Sequence, residues 1–189
     1  EAFNFMYREN VEALKRAGEV VFFSPLRDKS LPEADMVYFP GGYPELHLAE
    51  LAANEEMRQS VRKYCETGGR VLAECGGMMY LCDTITDGDG KVYPMAGVLK
   101  QGATMEQMKL KLGYREVRVN GQRIRGHEFH YSRILPANEK IPVIGTIYNA
   151  KDMVVDTPVY TYKNVLASYI HFYWGECGMD HFLMLMSQK

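Results

Sequence analysis

The segment Arg70-Val-Leu-Ala-Glu-Cys-Gly-Gly-Met-Met-Tyr-Leu81 sets a cysteine between an apolar, β-like run and two glycines. A side chain on the sharp turn from a parallel strand into a helix is thrust above the sheet, and such a turn accepts only small neighbours. Gly76 and Gly77 supply them. At a helix N-terminus, free backbone N–H groups and the macrodipole lower a thiol pKa from its usual value of about 8.5. The spacing therefore predicts an ionised, nucleophilic Cys75. A buried cysteine acting as a small hydrophobe is the competing reading, and the glycine pair weighs against it.

A thiolate used for acyl transfer needs a group that can protonate the departing amine, and histidine is suited to this near neutral pH. Of the five histidines, His171 ends the strand-like run Val165–Ile170, which would bring it to the rim of the sheet that carries the cysteine turn. His127 and His130 lie in Gly126-His-Glu-Phe-His-Tyr-Ser132. On a strand their imidazoles face opposite sides and cannot share a metal. His47 and His181 read as structural residues. The oxyanion of a tetrahedral intermediate also calls for preorganised backbone N–H donors. Pro40-Gly-Gly-Tyr43, at the end of another apolar run, can present such an amide with no Cβ in the way.

The elements that must hold these groups follow from hydrophobic periodicity. Asn4–Ala17 has apolar residues at helical spacing, with Gly18 in the C-cap position. Val20–Phe23, closed by Ser24-Pro25, reads as a short buried strand, and so does Met36–Phe39 before Pro40-Gly41-Gly42. Residues 45–67 are helical in composition with a break near Asn54, and Arg70–Glu74 and Met78–Leu81 are the strand and helix around Cys75. This rhythm predicts an α/β fold, an open and mostly parallel sheet flanked by helices. The second half adds antiparallel pieces: Tyr114–Val119 and Gln122–Arg125 flank Asn120-Gly121, a two-residue hairpin signal. Further strand-like runs are Pro142–Tyr148, Val159–Tyr162 and Val165–His171, and a helix closes the chain over Met179–Met186.

Composition narrows the classes. The 189 residues are 47% hydrophobic and 24% charged, as in an ordinary globular domain, and the prior for this length is one core. With 22 basic and 24 acidic residues, no global field draws the chain to nucleic acid or an anionic membrane. The cysteines Cys65, Cys75, Cys82 and Cys177 form no C-x-x-C pair and match no zinc spacing, so neither a disulfide framework nor a metal site is expected. Asn164–Gly175, the longest uncharged stretch of note, falls short of the roughly 18 apolar residues of a membrane span. No signal-peptide pattern opens the chain, and a reducing cytoplasm is the expected compartment.

Taken in order, Ala73-Glu-Cys-Gly-Gly77, Phe39-Pro-Gly-Gly-Tyr-Pro-Glu45, Gly126-His-Glu-Phe-His-Tyr-Ser132 and Leu166-Ala-Ser-Tyr-Ile-His171 resemble the glutamine amidotransferase domain of the cobyrinic acid a,c-diamide synthases. Glu1-Ala-Phe-Asn-Phe5 and Phe22-Phe-Ser-Pro-Leu26 extend the resemblance over nearly the whole chain. It implies a class I amidotransferase fold of flavodoxin-like type, with Cys75 as nucleophile and His171 as its base. Gly42 and Gly76 become candidate oxyanion donors, and Tyr43, Ser168 and Tyr169 substrate-binding candidates. His127, Glu128 and His130 are secondary candidates. Many class I amidotransferases orient the histidine with a glutamate two residues later. This chain has Tyr173 there, so the resemblance supports a Cys-His dyad.

By the same resemblance, residues 1–189 are a single domain, the C-terminal half of a two-domain synthase. The family would place a strand ahead of the first helix. No G-x-x-x-x-G-K-[ST] loop occurs here, so ATP and Mg²⁺ are expected in an N-terminal synthetase domain, with no cofactor in this one. The implied partners are glutamine, that synthetase domain and a corrinoid polycarboxylate. A nickel tetrapyrrole precursor is the alternative acceptor; a cysteine hydrolase or an inactive binding module is the alternative class. Between Lys109 and Arg125 six basic residues face one acid, Glu116, which reads either as a solvated hairpin face or as a surface toward the partner domain or its substrate.

Overall fold

The structure, a computed structural model, describes residues 1–137, 139–175 and 179–186. Three short, nearly continuous apolar runs, Met36–Phe39 (β1), Arg70–Glu74 (β2) and Val165–Ser168 (β11), become parallel neighbours. With Val159–Tyr162 (β10) added antiparallel, they form a sheet of order β1-β2-β11-β10. Successive side chains point to opposite faces of a strand, so this sheet feeds two cores. Val37, Phe39, Val71, Ala73, Val165 and Ala167 pack on one side, with Leu51, Met57 and Val61 of helices α2 (Leu48–Ala53) and α3 (Glu55–Glu66). Leu72 and Leu166 pack on the other side, with Ala13 of α1 (Arg8–Ala17), Trp174, and Phe182 of α5 (Asp180–Met186). The expected doubly covered α/β layer is therefore present. The break between α2 and α3 falls at Asn54, whose side chain accepts from Met57 N and caps α3.

Two further four-stranded sheets are present among the described residues. One is antiparallel, of order β12-β7-β6-β9, formed by Ile170–Phe172 (β12), Gln122–His130 (β7), Lys111–Val119 (β6) and Thr146–Asn149 (β9). Its hairpin turns at Asn120 and Gly121, both at positive φ, as that dipeptide requires. The other, of order β4-β3-β5-β8, consists of Val92–Pro94 (β4), Cys82–Thr86 (β3), Leu99–Thr104 (β5) and Arg133–Ile134 (β8). None of its strands was expected from the sequence. Among the described residues no helix is long and apolar enough to cross a membrane.

Four expectations need correction. Val20–Phe23 is not a buried strand: it lacks regular structure, and Val21 and Phe22 are exposed. A turn follows, in which the Arg27 and Asp28 amides donate to the Ser24 carbonyl, and β1 stays at the edge of its sheet. The helix from Asn4 starts only at Arg8, because Phe5 is engaged in a β-bridge with Gly41. Of Pro142–Tyr148 only the end is strand; Gly145, at φ +71°, interrupts it. Val165–His171 is not one strand. At Tyr169 it passes from the first sheet to the second, with the Ser168 hydroxyl donating to the Pro158 carbonyl and accepting from Ile170 N.

Candidate active site

Strand β2, buried from Val71 onward, ends at Glu74, and helix α4 (Gly76–Leu81) begins two residues later. Cys75 alone makes the turn, at φ 47° and ψ −108°, a conformation that costs an L residue of order 1–3 kcal/mol. Its amide donates to the Ser168 carbonyl on β11 at 2.7 Å. The two glycines that follow are required by close approach. A Cβ on Gly76 would lie 2.8 Å from the Gly42 carbonyl oxygen, and one on Gly77 would lie 2.4 Å from that of Phe39.

The Pro40-Gly41-Gly42 loop after β1 is clamped on three sides. Phe5 N donates to the Gly41 carbonyl at 3.0 Å. A Cβ on Gly42 would lie 2.1 Å from the Ala2 carbonyl oxygen, and one on Gly41 would lie 2.2 Å from His171 Cε1. The loop thus touches the cysteine elbow through Gly42 and the histidine through Gly41. Tyr43, next in sequence, is half exposed.

His171 comes not from the rim of the first sheet but from β12 in the second, opposite His127 on β7. Their rings stack with centroids 4.6 Å apart and 9° between planes, and the Phe5 ring meets His171 edge-on at 4.9 Å. His171 is buried and its Nδ1 has no hydrogen-bond partner among the described residues. Burial, then the neighbouring His127 and His130, pushes its pKa down to about 3.

The cysteine departs from the expected thiolate. Cys75 is buried, and its thiol donates to the Phe129 carbonyl on β7 at 3.7 Å rather than to an imidazole. Burial pushes the thiol up to about 12; Gly76 N–H opposes this, and the carboxylates of Glu45, Glu74 and Glu128 add to it. A helix terminus acts only within its first turn, and here desolvation outweighs it. Both shifts favour the uncharged form, the thiol at Cys75 and the neutral imidazole at His171.

Glu74, the residue before the elbow, is fully buried and was named at the sequence level only within its motif. Its carboxylate accepts from the Tyr38 hydroxyl at 2.8 Å and from Phe172 N, beside His171, at 3.2 Å. Burial raises its pKa to about 8, against the pull of these two hydrogen bonds. Glutamate in a run of buried strand residues is the signal that could have singled it out, since a carboxylate there needs partners.

The secondary candidates separate onto the two faces of β7, as strand geometry requires. His127 lies on the His171 side and hydrogen-bonds the Tyr7 hydroxyl through Nδ1 at 2.5 Å. Glu128 and His130 lie on the other face. Glu128 accepts from Arg115 Nε at 2.7 Å and from the Thr157 hydroxyl at 2.9 Å, and pairs with His130 Nε2 at 2.8 Å. Burial would raise its pKa, but the His130 and Thr157 hydrogen bonds and the Arg115 charge hold it down to about 2. His130 stacks on Tyr169, whose hydroxyl accepts from Ser132 Oγ. The Ser168 hydroxyl donates to the Pro158 carbonyl, and Tyr169 is buried in the same core cluster as Cys75. His47, read as structural, pairs with Glu50 at 2.8 Å.

Among the described residues no three His, Cys, Asp or Glu side chains are gathered to hold a metal ion. A cleft of about 560 Å³ runs along the free edge of β1 beside Val20–Leu26, and a second of about 270 Å³ lies at Tyr114, Arg118 and Asn149. Neither is lined by Cys75 or His171. The hairpin arginines are partly paired: Arg118, Arg123 and Arg125 share the single carboxylate of Glu116, Arg118 also reaches Asp152, and Arg115 is paired with Glu128, so three acids meet the six basic residues.

A sheet buried on both faces, a cysteine at a strand-to-helix elbow and a histidine from a later strand define the class I glutamine amidotransferase-like fold. Solved structures share it: a glutamine amidotransferase superposes with a TM-score of 0.61 at 24% identity, covering 96% of this chain and 94% of the other. The PurLQS structure from Thermotoga maritima gives 0.58 at 17% identity, covering 96% and 92%. Residues 1–178 match the CobB/CobQ-like glutamine amidotransferase domain, and the chain belongs to that family. It is 36% identical over 185 residues to the cobyrinate a,c-diamide synthase of Salmonella typhimurium, covering 93% of this chain and 40% of the relative. It is 42% identical over 173 residues to the hydrogenobyrinate a,c-diamide synthase of Stutzerimonas stutzeri, covering 91% and 40%. The chain thus spans about two-fifths of the length of these relatives.

Proposed function

We propose that this chain is the glutaminase part of an ATP-dependent a,c-diamide synthase, with Cys75 as nucleophile and His171 as its acid and base. The observation that carries the reading is Cys75 held at positive φ on the elbow between β2 and α4, in a chain of the glutamine amidotransferase family. The sulfur attacks the side-chain amide carbon of glutamine while its proton passes to His171. The imidazole returns that proton to the departing nitrogen, leaving ammonia and a γ-glutamyl thioester. Water, deprotonated by His171, then cleaves the thioester to glutamate and regenerates the thiol. A neutral thiol and a neutral imidazole have the same net charge as the ion pair they become. Proton transfer can therefore await the arrival of the amide carbon and needs no standing thiolate. The backbone amides of Gly42 and Gly76, residues that pack against each other at the elbow, are the proposed oxyanion donors.

Ammonia is then used by the part of the synthase outside these residues, where ATP and Mg²⁺ activate the a and c carboxylates of a corrinoid acid. Similarity to both cobyrinate and hydrogenobyrinate synthases supports a corrin acceptor over a nickel tetrapyrrole. Treatment with a diazo-ketone analogue of glutamine tests the glutaminase step. Modification should fall on Cys75, be blocked by glutamine, and vanish in Cys75→Ala together with glutamate release. Peptide or ester turnover with no glutamine protection would replace this reading with that of a cysteine hydrolase. Supplying either corrinoid with ATP to the full-length protein tests the acceptor.

A further inference from the structure

Strand β12 is the edge of its sheet, bonded to β7 on one side only, so the backbone groups on its other side need partners from elsewhere. At Phe172 they find two buried side chains from different elements. Asn10 of α1 donates from Nδ2 to the Phe172 carbonyl at 2.7 Å, and Glu74 of β2 accepts from Phe172 N at 3.2 Å. The second contact spans the site, because Glu74 adjoins Cys75 and Phe172 adjoins His171. Glu74 is itself anchored from a third element by the Tyr38 hydroxyl of β1, whose ring packs on Trp174 with centroids 4.9 Å apart. A carboxyl group suits the place, since each of its two oxygens meets a polar group from a different strand.

We propose that Glu74 is a positioning residue for His171, tying the strand that carries the imidazole to the elbow that carries the sulfur. This rests on the glutaminase reading above and goes beyond it, since the position two residues after His171 is Tyr173 and offers no carboxylate. Glu74 supplies one from before the nucleophile instead, acting on the backbone beside the histidine rather than on its ring.

The test is a double-mutant cycle in the full-length protein, read by the rate of Cys75 modification with the diazo-ketone glutamine analogue and by kcat and KM for glutamine hydrolysis. Glu74→Ala should lower both the labelling rate and kcat by about tenfold to a hundredfold, the scale of an ångström-sized misplacement. KM should stay within about twofold, as expected when only transition-state interactions are lost. Glu74→Gln, which keeps an acceptor for Phe172 N, should recover most of the rate. In a His171→Ala background the Glu74→Ala loss should disappear, because the group it positions is gone. An equal loss with and without His171, or wild-type kcat in Glu74→Ala, overturns the proposal. If Glu74→Ala does not fold, Tyr38→Phe, which frees one carboxylate oxygen, should show a smaller loss of the same kind, and wild-type kcat there overturns the proposal equally. Absence of glutamine-protected labelling in the unsubstituted protein defeats the glutaminase reading itself.

Discussion

The imidazole of His171 rests against the Cα of Gly41, so closely that a Cβ there would lie 2.2 Å from Cε1 and 2.8 Å from Nδ1. The ring cannot retreat, because His127 is stacked on it and Phe5 meets it edge-on. Gly41→Ala should therefore displace the imidazole. Glutamine hydrolysis is expected to fall about tenfold to a hundredfold, and stability by about 1–3 kcal/mol as in other overpacked sites. Steady-state kinetics and urea unfolding check the two arms. Wild-type kcat in a folded Gly41→Ala protein would mean that His171 need not be where this structure holds it.

Gly77 presents a different constraint, since its obstacle is backbone. A Cβ would stand 2.4 Å from the Phe39 carbonyl oxygen, and neither β1 nor α4 can shift without disturbing the core between them. Gly77→Ala is expected to destabilise by about 1–3 kcal/mol. Gly88, with nothing within 4 Å, is the control. Gly88→Ala should be neutral or gain a few tenths of a kcal/mol from a less flexible unfolded chain. Equal urea midpoints for the two variants would contradict the packing described here.

These glycines show how far the sequence could be read. Cys-Gly-Gly and Pro-Gly-Gly announce tight turns because only backbone fits there, and residue spacing alone locates them. The parallel strands around Cys75 were equally legible, as short apolar runs closed by glycine or proline. Val20–Phe23 has the same composition yet pairs with no strand among the described residues, because pairing depends on which strand lies alongside, and apolarity carries no word of that. The sheet of β3, β4, β5 and β8 went unseen because Leu99-Lys-Gln-Gly-Ala-Thr104 and its partners are short and polar, and only tertiary packing makes them strands. The step of the chain between sheets at Tyr169 was also hidden, and with it the fact that His171 approaches from a second layer. The protonation of Cys75 was misjudged for a related reason: a turn at a helix start is a local feature, whereas burial is set by the whole fold.

Stability against pH follows from three buried groups with distinct windows. His171, lowered from 6.5 to about 3, stays neutral in the fold while the unfolded chain takes up a proton. Its contribution is complete above pH 6.5 and is lost as pH falls toward 3. Glu128, held down to about 2 from 4.5, adds a further loss as pH falls through that interval. Glu74, raised from 4.5 to about 8, does the opposite: the fold keeps a proton that the unfolded chain releases, so stability falls as pH rises from 4.5 to 8. Between pH 4.5 and 6.5 the His171 and Glu74 slopes oppose each other. From 6.5 to 8 Glu74 acts alone among the three, at up to about 1.4 kcal/mol per pH unit. Urea midpoints should decline over that last interval and stay level in Glu74→Gln. A decline that persists in the variant would assign it to another group.

Reactivity of Cys75 follows from its neighbours. A thiol pushed up to about 12 holds almost no thiolate near neutrality, and alkylation proceeds through the thiolate. Iodoacetamide, which brings nothing to the His171 side of the site, should modify Cys75 slowly at pH 7, at a rate still climbing beyond pH 9. Cys65 and Cys82, both fully buried and raised to about 12, should react more slowly still, and peptide mapping resolves the three. The diazo-ketone glutamine analogue should behave differently, because it places its own electrophilic carbon at the sulfur and lets His171 accept the proton during attack. Its rate should fall in His171→Ala, whereas the iodoacetamide rate should not. An iodoacetamide profile that levels off below pH 8 would show that the thiolate exists before substrate arrives, and the concerted proton transfer proposed here would be wrong.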